Sequence, residues 1–207
     1  MKKSIYAAAV RPLLRVSSRS SILRRAVLWA APLALSLLAA CSADVTRSAD
    51  PVLAKPQFAN HQTQAGNLEV TLTPEAQQKL ADNLKFDQDK LLDTVRRALV
   101  ANNVLTKDVD PSRAKVEIKV TDMRVRSNFS AIMFGFMAGD DHIDGDVIVI
   151  SSTGSELQEF KVAASYALGG LAGGQDSARM DWLYENFAKR VVEELTGTGD
   201  RTNTAAK

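Results

Sequence analysis

From residue 116 onward the apolar residues change their spacing once, and that change limits the fold more than any other feature. From Val116 to Leu168 they fall mainly at every second position, and from Met180 to Leu195 at every third or fourth. Period two lines one face of a strand, whereas period 3.6 lines one stripe of a helix. Val116, Ile118 and Val120 share a face, then Met123 and Val125 resume in the opposite phase, which predicts a bulge near Thr121 and Asp122. Ile143 with Val147 to Ile150 predicts a second strand. Ser151 to Ser155, with Gly154, predicts a tight turn, and Leu157, Phe160, Val162, Ala164, Tyr166 and Leu168 predict the returning strand. A last helix is expected from Asp176 or Ser177 to Gly197, burying Met180, Leu183, Tyr184, Phe187, Ala188, Val191, Val192 and Leu195. Upstream, Leu68, Val70 and Leu72 suggest a short strand. Thr73 can cap a helix that starts at Pro74 and ends near Asn83, and Asp87 one running through Asn102. Together these predict an α+β fold: an antiparallel three- to four-stranded sheet with two or three helices packed on one face.

The overall charge of +2 conceals two parts of opposite sign. Seven of the 26 Lys and Arg residues lie in residues 1–40 and none of the 24 acidic ones does, so residues 41–207 hold 19 basic and 24 acidic residues, a net −5. An acidic body repels nucleic-acid phosphate, so no nucleic-acid partner is expected. One Cys excludes an internal disulfide, and two His leave little for a histidine-based metal centre.

Residues 1–40 have the layout of an export signal: a basic start up to Arg25, then the apolar run Ala26 to Ala40. As a helix that run reaches only about 22 Å, short of a hydrocarbon core of about 30 Å. Leu38, Ala39, Ala40 and Cys41 resemble the lipobox of bacterial lipoproteins. That resemblance implies that the Cys41 sulfur receives a diacylglyceryl group, that residues 1–40 are removed, and that palmitate or a similar chain completes the anchor. Anchoring strengthens by about 0.8 kcal/mol per buried methylene, so two or three chains hold where one binds only marginally. Ser42 stands where such lipoproteins often carry Asp when kept at the inner membrane, which implies the outer membrane, on its periplasmic side. Arg24 and Arg25 also loosely fit a twin-arginine export signal.

Residues 41–66, rich in Ser, Ala, Asp, Thr, Gln and Pro, read as a lipidated Cys followed by a flexible tether spanning about 25 to 30 Å. A single domain is then expected over 67–197, with a disordered tail at 198–207. His61 falls in the tether as a solvated side chain.

Three stretches could carry function. Phe129, Ile132, Met133, Phe134, Phe136 and Met137 cluster around Gly135 in the connection between two strands. Such side chains are more often buried as core, but exposed they would make a partner-docking loop or a membrane-touching tip. Asp140, Asp144 and Gly145 match positions one, five and six of a calcium loop, while His142 and Ser151 break it at three and twelve; a solvated turn entering a strand is expected. Gly169, Gly170, Gly173 and Gly174 lack the Lys and Ser or Thr of a phosphate loop and read as a turn before a capping Asp176. No nucleophile motif accompanies either His, so no enzyme activity, cofactor or metal is expected.

The lipobox at Cys41, the hairpin from Gly145 to Phe160 with its turn at Thr153 and Gly154, the glycines before Asp176, and the last helix with Phe187 and Ala188 resemble a group of uncharacterised envelope lipoproteins of Gram-negative bacteria. That resemblance implies a non-enzymatic binding or envelope-assembly module with an envelope protein as partner. An auxiliary subunit of an envelope transporter is the alternative, followed by a metal-binding protein or hydrolase centred on Asp140 to Asp146.

Overall fold

The period-two segments pair into one sheet, and the period-3.6 segments lie across its apolar face. A computed structural model describes residues 41–60, 62–126, 139–167 and 176–199. Its strands are β1 (Cys41–Arg47), β2 (Asn67–Leu72), β3 (Lys115–Arg124), β4 (Asp141–Ile150) and β5 (Glu156–Tyr166), in the spatial order β1-β5-β4-β3-β2. The helices are α1 (Pro74–Lys79), extended by a single 3-10 turn at Leu80–Asp82, α2 (Gln88–Ala101) and α3 (Asp176–Thr196). The α+β class and the helices follow the sequence reading. The sheet differs from it in two respects.

First, the sheet has five strands, not three or four, and β2 pairs with β3 in parallel. Parallel neighbours require a crossover of a dozen or more residues, and α1 and α2 supply it. The sequence shows the connection but not the direction in which β2 docks. Second, residues 42–66 are not a free tether. Cys41 to Arg47 pair antiparallel with Phe160 to Tyr166, the Phe58 N–H donates to Leu195 O at 3.0 Å, and the Ala65 N–H donates to Val104 O at 2.7 Å. Phe58 and Ala65 are buried. An edge strand needs only one apolar face, here Ala43 and Val45, and two small side chains among polar ones give too short an alternation to distinguish from a linker. Among the described residues the ordered domain therefore starts at Cys41 and not at Asn67. His61 lies outside the described residues, as do the tail positions 200–207.

Local chemistry explains the remaining boundaries. Thr73 Oγ1 accepts from the Ala76 N–H at 3.3 Å, and Asp87 Oδ1 from the Lys90 N–H at 2.9 Å, so both expected caps form. The register shift between Val120 and Asp122 is the expected bulge, and it lets Met123 rejoin the buried face. Strand β4 starts earlier than expected, because the acidic run is part of the strand: Asp141 is completely buried and Asp140 precedes the ladder. Among the described residues no helix is long and apolar enough to cross a membrane.

The core lies between the sheet and α2 and α3. Ile118, Val147, Phe160 and Val162 rise from the strands to meet Leu91, Leu99, Leu183, Tyr184 and Phe187. Phe86 packs edge-on to Tyr184, whose hydroxyl accepts the Asp87 N–H at 2.8 Å; burial pushes that phenol up to about 12. Gly145 faces inward beneath Phe187, and a Cβ there would come within 3.1 Å of the ring. The missing side chain is what allows α3 to lie this close. Gly145→Ala should therefore cost about 1–3 kcal/mol by overpacking. In urea unfolding, part of that loss should be recovered in the Gly145→Ala/Phe187→Leu double variant; strictly additive losses would show that the ring is not the constraint.

Candidate functional site: the loop-bearing end of the sheet

Several chain ends converge at one end of the sheet. Cys41 is paired with Tyr166, Tyr166 with Asp141, and His142 with Arg124, so β1 begins, β5 ends, β4 begins and β3 ends along one row. With strands about 4.8 Å apart, Cys41 lies about 5 Å from Tyr166 and about 10 Å from Asp141 across the sheet. The connection 127–138 leaves and returns here, between Arg126 and Gly139, and α3 starts here.

A buried ionic clasp holds this end together. Asp141 is fully buried, Arg126 is 4% exposed and Arg179 is 2% exposed. Asp141 Oδ1 accepts the Arg126 N–H at 2.6 Å and Arg126 Nε at 3.3 Å, while Oδ2 accepts Arg126 Nη2 at 3.1 Å. Arg179 Nε lies 3.0 Å from the same Oδ2, an ion-pair contact whose N–H is not aligned for a hydrogen bond. Arg126 also donates from Nη1 to Gly139 O at 2.7 Å and from Nη2 to Tyr166 O at 3.0 Å, and Arg179 Nη2 donates to Arg126 O at 3.1 Å. One guanidinium thus touches the end of β3, the entry to β4 and the end of β5, and a second ties α3 to the same point. Asn83 completes the fixing of β3, since its Oδ1 accepts the Val125 N–H at 2.7 Å. Gly139 takes a φ of +85°, which is unfavourable for other residues.

The Asp141 carboxylate is filled with donors and shut off from solvent, which suits neither proton transfer nor ligand exchange. Beside it, on the open face of the sheet, stands the acidic group named from the sequence. His142 Nδ1 lies 3.6 Å from Asp140 Oδ1 and its Nε2 3.9 Å from Asp122 Oδ2, and Lys79 Nζ bonds Asp122 at 2.7 Å. Burial pushes the half-buried Asp144 carboxyl up. Burial acts the same way on Asp122, but the Lys79 ammonium and the Met123 N–H outweigh it and hold that carboxyl low. Among the described residues no three His, Cys, Asp or Glu side chains are grouped to hold a metal ion. Between α2 and α3 runs an open groove of about 520 Å³, lined by Thr94, Arg97, Asn102, Lys189 and Glu193. Within it Arg97 donates to Thr94 Oγ1, and Lys189 lies 3.7 Å from Glu193.

Of the residues singled out from the sequence, Cys41 takes the first position of β1. Phe129, Ile132, Met133, Phe134, Phe136 and Met137 lie outside the described residues, as do Gly169 to Gly174. Sequence reasoning missed Arg126 and Arg179, and took Asp141 for a solvated residue. Its one available signal was Arg179, a cation on the stripe that continues into Met180, Leu183 and Phe187. A charge on a buried stripe requires a buried partner.

The fold and site define a small two-layer α+β module with helices on one face, an open polar sheet face, and a clasped end from which the connecting segments emerge. The chain belongs to the family described as domain of unknown function DUF4410, whose sequence profile matches residues 46–170. No curated protein matches the sequence. Among solved structures it is distantly similar to a PelC dodecamer subunit from Paraburkholderia phytofirmans, with 12% identity and a TM-score of 0.40 over 75% of this chain and 98% of that one. A DUF330 protein from Xanthomonas campestris shares 14% identity, with a TM-score of 0.41 over 74% and 92%. A rare lipoprotein B from Shewanella oneidensis shares 16% identity, with a TM-score of 0.31 over 64% and 92%.

Two predictions follow from the charges. Asp141→Asn leaves two buried arginines without their counter-ion and should cost about 3–5 kcal/mol in chemical unfolding; a loss below 1 kcal/mol would show that the clasp is incidental. Asp144 acts in the opposite direction. Its folded-state pKa is raised, so the ionised group opposes folding above that value, and the penalty disappears as pH falls towards the unfolded value of about 3.9. Asp144→Asn should therefore raise the melting temperature at pH 7, with a gain that shrinks towards pH 4.

Proposed function

We propose that the mature chain is a lipid-anchored lipoprotein of the outer membrane, facing the periplasm, and that it works as a non-enzymatic binding or envelope-assembly module. The observation that carries this reading is the position of Cys41. The residue that ends the lipobox also begins the first strand, so a mature chain starting at Cys41 would keep every described strand and helix and carry its lipid at the start of β1. An export signal joined to the domain at that residue fits the order of a basic start, an apolar run and small residues before a Cys. The rest of the site supports binding over catalysis: its most buried charges are engaged in holding strands and helix together, and its exposed acids line an open sheet face. A role as an auxiliary subunit of an envelope transporter is a variant of the same reading, with the transporter as the envelope partner.

Cells expressing the wild-type chain should incorporate labelled palmitate into the protein and retain it in the outer-membrane fraction, and Cys41→Ser should abolish both. A variant still labelled by palmitate would overturn the anchor. Affinity purification from gently solubilised envelopes should recover a stable envelope protein with the wild-type chain; recovery of the chain alone would argue against an assembly role.

A further inference from the structure

We propose that the clasped end of the sheet is a membrane-contact surface, so that the domain rests on the lipid bilayer by the edge formed by Cys41, Tyr166 and the first turns of α3, with the hairpin turn at Ser151–Ser155 pointing away. The proposal rests on the anchoring reading above and adds what that reading leaves open, namely which surface meets the lipid.

Two independent features lead to it. The first is the absence of a spacer. A free tether of about 25 residues would let the domain take any orientation within about 25 to 30 Å of the headgroups. Instead the acyl-bearing residue is itself in register with Tyr166 at the start of a seven-residue ladder, and Arg47 at the other end of that ladder is fixed to Glu194 by bonds of 2.7 and 2.8 Å. The bilayer attachment point is therefore about 5 Å from Tyr166. The turn at Ser151–Ser155 lies beyond the other end of β5, whose eleven residues span about 35 Å.

The second feature does not involve the cysteine. Tyr166 and Trp182 stand edge to face at this end, with centroids 5.2 Å apart and planes at 63°, and both are only partly buried. Rings with an apolar body and a polar N–H or O–H favour the headgroup level of a bilayer, where both needs are met. Trp182 is six residues into α3, about 9 Å from the helix start. The opposite end carries Ser151, Ser152, Thr153, Gly154 and Ser155, a wholly polar turn. One end of the domain therefore combines the attachment point with interfacial aromatics, and the other has neither.

The mature chain provides its own reporter. The sequence has two tryptophans, and on the anchoring reading Trp29 lies in the removed leader, which leaves Trp182 as the only tryptophan, excited selectively at wavelengths tyrosine does not absorb. The full lipidated protein would be reconstituted into phosphatidylethanolamine/phosphatidylglycerol vesicles carrying headgroup-level doxyl lipid, and Trp182 quenching measured. In parallel, Ser165→Cys and Thr153→Cys would each be labelled with bimane; the sole native Cys carries lipid, so each variant offers one free thiol. Trp182 and the label at 165 should be quenched at least threefold more than the label at 153. Equal quenching at 165 and 153, or stronger quenching at 153, overturns the orientation. Disulfide-linked dimers through position 165 without lipid quenching would assign this end to a second copy and overturn it too. Flotation with the vesicles separates the two readings: a chain that floats with no difference between ends is anchored but differently oriented, and a chain that does not float lacks the anchor.

Discussion

Asp141 brings one negative charge into the core at the point where two arginines meet, and much of the architecture depends on that meeting. Arg126 comes from the end of β3 and Arg179 from the first turn of α3, so a single carboxylate fixes where a strand ends, where the next begins and where the helix sits. At the other end of α3, Glu194 is held by a bidentate bond from Arg47 of β1, and those hydrogen bonds, with the carboxylate's charge, raise the guanidinium's pKa against the opposing effect of burial. Both charges oppose the helix dipole, which favours acids at the start and bases at the end. Their placement therefore does not serve the helix itself; each is answered by a group on the sheet. Ion pairs of this kind add little net stability compared with apolar packing, but they tolerate only one geometry. In this domain they lock the angle and height of α3 over β1, β4 and β5.

That geometry also explains how the sheet deals with its two edges and two faces. On the β2 side, the Gln88 side chain from the start of α2 donates to Val70 O at 2.8 Å and occupies part of the ladder that another strand would use. The face away from the helices is charged, with Lys115 between Glu69 and Glu117 and Lys161 beside Asp146. Alternating signs across neighbouring strands stabilise the rows locally and keep the open face wet.

How far the sequence foretells this structure depends on the length of each signal. The last helix, with eight apolar residues at helical spacing, could hardly be read otherwise, and the phase change at Thr121 and Asp122 located the bulge to the residue. β1 was illegible because Ala43 and Val45 alone mark its buried face, and its partner lies more than a hundred residues away. The parallel docking of β2 was illegible because alternation reveals a face and not a direction. At the site, the clasp was illegible because nothing local joins Arg126, Asp141 and Arg179. An acidic run looks solvated until its second residue is seen to point inward, and strand parity decides this: Asp141 shares a face with Ile143, Gly145 and Val147, while His142 and Asp144 share the other.

The pairing of β1 with β5 also sets an order of events. Residue 41 meets residue 166, and residue 47 meets residue 160, so the edge strand closes only when nearly the whole domain is present. Contacts of such sequence separation form late, after local helices and the β4–β5 hairpin. In a chain delivered N-terminus first, residues 41–47 are therefore the first of the domain to arrive and among the last to be fixed. Throughout that interval residues 41–47 are an extended segment without their partner strand. Once β5 is in place, Cys41 becomes the corner of a finished sheet.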